Sequence, residues 1–280
     1  MAWGLRWLTA LTLVLVLCTG ATAQQCASPK TLGVSRVLPI DPRARPLVGS
    51  FDYGITLPLG PREVVLTFDD GPRPPYTNRV LKALADECVR ATFFVLGRQA
   101  RSFPAMVRQI YQAGHTIGTH TQTHPMHRMS PARASIEIEA GIASAATALG
   151  SREAVAPFFR FPGLYRTSAA EAYLRSRGVM VWSIDVDSDD YRRISGQAMV
   201  ERIMSNLEKS RGGILLMHDI QPKTAAMLPT LLRSLKQRGF RIVHAVPGKA
   251  SPPRNLDLIA RGEATPEGFE IVFTSGLPRR

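Results

Sequence analysis

The stretch Val64-Val65-Leu66-Thr67-Phe68-Asp69-Asp70-Gly71-Pro72 decides how this chain is read. Its first five residues, rich in β-branched and aromatic side chains, predict a short buried strand over 64–68. Gly71-Pro72 ends that strand. Asp69 and Asp70 are therefore delivered to the carboxyl end of a buried strand, where an α/β protein opens its binding crevice. Two adjacent carboxylates repel each other, and placing both in a sheet mouth is costly unless something positive offsets them. A metal ion would do so, taking one carboxylate as ligand and leaving the other free to move a proton. The alternative is a strand-end turn with two solvated aspartates.

A second cluster, His120-Thr121-Gln122-Thr123-His124-Pro125, follows the strand-like run Thr116–Thr119. One turn of helix would put both imidazoles on the same side. Imidazole with carboxylate suits a borderline ion such as zinc, and three protein ligands leave open positions, the catalytic pattern. Taken alone, the two histidines could equally mark a surface helix. Further strand-like runs lie at 91–96, 158–161, 179–184, 214–217 and 241–246. Helical patterns separate them at 131–149, 196–209 and 224–238, the last with an apolar stripe of Met227, Leu228, Leu231, Leu232 and Leu235. Seven strands alternating with helices predict an α/β fold with a parallel, barrel-like sheet. The polar motifs fall at or just after strand carboxyl ends, where barrel enzymes collect catalytic groups.

Five ordered motifs give the chain its resemblance. It resembles the polysaccharide deacetylases of carbohydrate esterase family 4, the chitin and peptidoglycan deacetylases. Thr67 to Gly71 matches the family's TFDDG, and His120 to His124 its His-Ser/Thr-x-x-His. Arg160-Phe161-Pro162 answers Arg-x-Pro, Asp187-Ser188-Asp189-Asp190-Tyr191 answers Asp-x-x-Asp-Trp, and Leu216-Met217-His218 answers Leu-x-His. Two departures stand out. Gly163-Leu164-Tyr165 replaces a Pro-Tyr-Gly-like run, and Tyr191 replaces the usual tryptophan.

The resemblance implies an irregular (β/α)7 barrel and a metal-dependent hydrolase acting on N-acetylhexosamine polymers. It assigns Asp70, His120 and His124 to the metal, Zn2+ first and Co2+ or Ni2+ as alternatives. Asp69 would be the general base, paired with Arg160. His218 would be the general acid, with Asp190 beside it. A backbone N–H near Gly163-Leu164 would donate to the oxyanion, and Leu216 and Tyr191 would wall the acetyl pocket, with Tyr165 in the substrate groove. Asp185 or Asp187 could help orient Arg160. His115, His127 and His244 read as packing or supporting histidines, and Trp182 as core. Two other functions fit the same residues: O-deacetylation of a polysaccharide, and a silent glycan-binding protein.

Residues 1–23, with Arg6, an apolar run to Cys18 and Ala21-Thr22-Ala23, predict a secretory signal peptide, or an uncleaved membrane anchor. An exported chain, periplasmic or secreted, would then keep Cys26 and Cys88, and the sequence leaves their pairing open. Residues 24–60 read as an extension wrapping the domain edge, 61–250 as the catalytic domain, and 251–280 as a basic tail. The formal charge of +13 is scattered and accompanied by no nucleic-acid motif; weak attraction to an anionic envelope or acidic glycan fits it better, and solubility with an Arg-rich composition bias is the plainest alternative. Membrane contact is expected only if the leader stays uncleaved. The sequence leaves the oligomeric state open.

Overall fold

The computed structural model describes residues 30–248, and every strand pairing in it is parallel. The strands are β1 (Arg36–Ile40), β2 (Leu47–Val48), β3 (Glu63–Asp69), β4 (Thr92–Val95), β5 (Thr116–Thr119), β6 (Phe158–Phe159), β7 (Met180–Trp182), β8 (Val186–Asp187), β9 (Gly212–His218) and β10 (Arg241–Pro247). The helices are α1 (Ser50–Tyr53), α2 (Tyr76–Asp86), α3 (Gly97–Ser102), α4 (Pro104–Gln112), α5 (Pro131–Leu149), α6 (Ser168–Ser176), α7 (Gly196–Ser210) and α8 (Pro222–Gln237).

β3 is the hub. Its whole length pairs with β9, its first two residues also pair with β10, and its last three pair with β4. From β4 the sheet continues through β5, β6 and β7 to β2, while β8 sits on β9. Residue alternation along β3 sets the site. Val64, Leu66 and Phe68 face a core shared with α2, α7 and α8, whereas Val65 faces the other core, with Phe94, Phe158, Trp182 and Ile214. A period of two then puts Thr67 and Asp69 on the side of Val65. The same rule puts Leu216 and His218 of β9 on the side of Ile214, and Arg160 on the side of Phe158. The inner face is thus apolar at the base and ionisable at the carboxyl rim.

Several expected boundaries differ. Among the described residues there are ten strands rather than seven. β8, which lies beside β9, went unseen because two residues carry no periodicity. The strand at 241–247 joins the start of β3 through Arg241 and Ile242 and pairs with β1 from Val243 to Pro247. The segment 24–60 is more than a wrap: it supplies β1 and β2, each paired with a strand distant in sequence. α5 begins and ends where the sequence placed it. Ser130 caps it by accepting the Arg133 N–H, Pro131 opens it, and Gly150 closes it at φ 75°. Trp182 is core, as are His115 and His244: His115 Nδ1 accepts the Ala91 N–H at 3.1 Å, and His244 Nε2 meets Thr116 Oγ1 at 2.9 Å.

Cys88 is disulfide-bonded. Cys26, the expected leader at 1–23 and the expected tail at 251–280 lie outside the described residues. No helix among the described residues is long and apolar enough to cross a membrane.

Candidate active site

β3 ends on Asp69, and the next residue turns the chain. Asp70 has φ 76°, a left-handed conformation that aspartate tolerates better than most residues. The two neighbouring carboxylates consequently meet different partners. Asp69 Oδ1 accepts from Arg160 Nη1 at 2.8 Å, while Asp70 Oδ1 lies 3.0 Å from His124 Nε2 and 3.4 Å from His120 Nε2. The turn is backed by Asp219, which is fully buried and accepts from Thr77 Oγ1 at 2.5 Å. A Cβ on Gly71 would fall 2.1 Å from the Asp219 carboxylate, so glycine is needed there. Burial pushes the Asp219 carboxyl up to about 7.

His120 and His124 do not share a helix turn, contrary to expectation. They lie in a loop after β5 in which Thr121 and His124 both have positive φ, 66° and 63°. Side chains hold that loop. Thr121 Oγ1 accepts the His124 N–H at 3.1 Å, and Glu137 of α5 accepts the N–H groups of Gln122 and Thr123 at 3.1 and 2.8 Å. Glu137 is itself held by Arg133 at 2.6 Å. Close approach of α5 requires Gly141, where a Cβ would sit 2.7 Å from the Thr121 backbone.

Asp70, His120 and His124 each offer a ligand atom, and these atoms lie within 4.8 Å of one another. The local chemistry fits a divalent cation. His120 Nδ1 meets the Arg160 carbonyl at 2.8 Å. A carbonyl only accepts, so the proton sits on Nδ1 and the Nε2 lone pair faces Asp70. Asp70 Oδ1 is buried without a hydrogen bond of its own, as an atom facing a cation would be. Burial opposes ionisation of Asp70, but the His124, His120 and His218 imidazoles outweigh it and hold its carboxyl well below the usual range. Burial likewise lowers His120, keeping it neutral and able to ligate.

Arg160 is wholly buried, lies 4.3 Å over the Phe94 ring, and donates to Asp69, to Thr67 Oγ1 at 2.9 Å and to the Ser183 carbonyl at 3.2 Å. Burial lowers its pKa, against the charge of Asp69. Asp185 and Asp187 do not bond it. Asp185 accepts instead from Ser50, Thr56 and the Ile214 N–H, and Asp187 from the Asp189 N–H and Tyr191 Oη.

Across the mouth, Asp190 grips His218. One carboxylate oxygen meets His218 Nδ1 at 2.7 Å, and the other accepts the His218 N–H at 2.7 Å and Thr224 Oγ1 at 2.5 Å. Burial opposes charging His218, yet the Asp190 hydrogen bond and charge dominate and push it up to about 10. The Tyr191 ring stands edge-on to His218, with centroids 5.9 Å apart, and is exposed. Leu216 lies buried on β9 between Thr67 and Asp187.

Of the N–H groups near Gly163-Leu164, that of Leu164 donates to the Phe161 carbonyl at 3.0 Å and that of Tyr165 to the Pro162 carbonyl at 3.0 Å, which leaves the Gly163 N–H as the one uncommitted donor of this turn. Gly163, at φ 56°, is the exposed point of that turn, with Leu164 half-buried and Tyr165 exposed beside it. Glu137, Thr224 and Asp219 were missed. A charged residue on the apolar face of α5 was a legible signal for Glu137; the other two had none.

The family profile described as polysaccharide deacetylase matches residues 57–182. A chitooligosaccharide deacetylase from Sinorhizobium fredii is 33% identical over 216 residues, covering 70% of this chain and 97% of its own. A peptidoglycan-N-acetylglucosamine deacetylase from Bacillus cereus is 31% identical over 192 residues, covering 67% and 88%. Among solved structures, a Bdellovibrio bacteriovorus peptidoglycan deacetylase superimposes with a TM-score of 0.70 at 29% identity, covering 80% of this chain and 62% of that one.

Proposed function

The chain belongs to the polysaccharide deacetylase family, and from that premise we propose that it is a metal-dependent hydrolase that removes N-acetyl groups from N-acetylhexosamine units of an envelope or extracellular polysaccharide. The observation that carries this reading is the convergence of two ion pairs on one ligand cluster: Asp69–Arg160 and His218–Asp190 flank Asp70, His120 and His124. Amide hydrolysis needs a base, an acid and stabilisation of a developing oxyanion.

Asp70, His120 and His124 would hold a divalent cation, zinc by the donor set, which when bound polarises the acetyl carbonyl and an attacking water. Asp69 takes the proton of that water. Arg160 keeps Asp69 ionised and fixes its orientation, the second carboxylate oxygen lying 3.9 Å from His120 Nε2. His218, with Nδ1 committed to Asp190, gives the departing sugar nitrogen a proton from Nε2. Leu216 and Tyr191 shape the space for the acetyl methyl. The disulfide at Cys88 supports an oxidising compartment, in keeping with export to the periplasm or beyond.

Acetate release from chitooligosaccharide, peptidoglycan and acetylxylan, measured with and without chelator, tests this function. Release from the N-acetylated glycans that stops on chelation and returns with added zinc is the expected result. Chelator-sensitive release from the ester alone would leave an O-acetyl esterase, and no release from any glycan would reject the enzyme.

The His218–Asp190 pair carries a pH prediction. A pKa raised to about 10 keeps the imidazolium present through neutral pH and loses it as pH climbs. Asp190→Asn removes the carboxylate that holds the proton. The alkaline limb of kcat/KM then moves to lower pH and kcat falls by about a hundredfold. An unmoved limb in the pH–rate profile would separate Asp190 from the acid.

A further inference from the structure

We propose that the cavity between Arg128, Asp52 and the Tyr165–Ser168 segment is a second subsite, holding a carboxylate on the sugar unit next to the one that is deacetylated. The inference rests on the deacetylase reading and deepens it by naming an acidic glycan as substrate class. The cavity has a volume of about 370 Å3, and Asp52, Arg128, Tyr165, Arg166, Thr167 and Ser168 line it. That space suits one monosaccharide unit or its acidic substituent.

Both walls lead to the catalytic centre. Arg128 follows His124 on the same loop, and Met126 of that loop packs on Gly163, where a Cβ would meet its Cε at 3.2 Å. On the other side, Asp52 Oδ2 accepts from Ser183 Oγ at 2.5 Å, and the Ser183 carbonyl accepts from Arg160, the partner of Asp69. A glycan lying across the Gly163–Tyr165 turn would run from this cavity toward the catalytic centre.

Spare donors make the cavity selective for an oxyanion. Its acids are committed: Asp52 to Arg166 and Ser183, and neighbouring Glu171 to Tyr53 and Arg166. Its cations keep donors in reserve, although Arg166 is itself paired with both acids. Arg128 makes no hydrogen bond or ion pair among the described residues, and Arg166 uses only Nε and Nη1, leaving Nη2. Thr167 Oγ1 accepts from the Ala170 N–H and keeps its own proton to donate. Guanidinium groups with free N–H favour a planar carboxylate, which they grip through paired hydrogen bonds. Tyr165, 43% exposed, offers a ring face to the sugar. Asp52 precedes the family match at 57–182, so this wall is built from sequence outside that match. The formal charge of +13 adds long-range attraction for an acidic polymer.

The carboxylate could belong to a uronate ring or to a lactyl ether, and the test distinguishes them. Full-length protein is assayed for acetate release on three oligomers of equal length: neutral, uronate-bearing and lactyl-bearing. One acidic oligomer is expected to exceed the neutral one in kcat/KM by about tenfold, and Arg128→Ala to erase that ratio through KM. Arg128→Lys should restore part of it, and Arg128→Glu should invert the preference. The oligomer that gains identifies the source. Equal kcat/KM on all three, or a ratio that Arg128→Ala leaves standing, overturns the subsite. Calorimetric binding of the same oligomers to Asp69→Asn separates this from the activity. Arg128-dependent binding of an acidic oligomer without acetate release from any glycan would sink the deacetylase reading and leave the subsite in place.

Discussion

Asp69→Asn lowers kcat for acetate release by about a thousandfold, the usual contribution of a positioned general base, while the metal content of the protein stays at the wild-type level. The reason is geometric. Asp69 closes β3 with one oxygen on Arg160 and the other 3.9 Å from His120 Nε2, whereas the three ligand atoms come from Asp70, His120 and His124. Asparagine keeps the shape of the side chain but cannot accept the proton. Acetate-release kinetics together with metal analysis of the purified variant decide the matter. Loss of metal in step with kcat would make Asp69 a ligand instead, and an unaffected kcat would move the base elsewhere.

Arg160→Met destabilises the fold by about 3–5 kcal/mol, the range found when one member of a buried ion pair is removed. Arg160 is wholly buried, and its guanidinium supplies Asp69, Thr67 and Ser183 with hydrogen bonds while packing on Phe94. Methionine fills much of the volume and leaves Asp69 charged at the carboxyl rim of the sheet without its partner. The midpoint of thermal unfolding should drop by about 10 °C. Adding Asp69→Asn to Arg160→Met should recover part of the loss, because the stranded charge is gone. Denaturant titration of the two single variants and the double variant measures the coupling. Strict additivity would show that the pair acts only through packing.

Much of the site was legible because the chemistry repeats a local pattern. Val64 to Pro72 carries its own strand, stop and pair of carboxylates, and the strand observed extends the expected one by a single residue at each end. Pro131 to Leu149 was readable to the residue because its cap, its first-turn proline and its closing glycine are all local signals. The His120–His124 spacing pointed to one ion for the wrong reason. The sequence suggested a helical turn, but positive φ at Thr121 and His124, stabilised by Glu137 from a distant helix, makes a loop. The 3-10 turn that ties the Leu164 N–H to Phe161 was equally hidden, since no side-chain periodicity announces it.

By itself, then, the chain determined which chemical groups are present, their order, and the strand ends that carry them, because strand periodicity and stop signals act over a few residues. The family resemblance implied Arg160 on Asp69 and Asp190 on His218; only the tertiary structure decided the other pairings: Glu137 under the histidine loop, Thr224 on Asp190, and Asp52 beside Arg166. Those partners stand far apart in sequence. Whether two such groups meet depends on strand register and helix approach, which are set by burial of the whole apolar core.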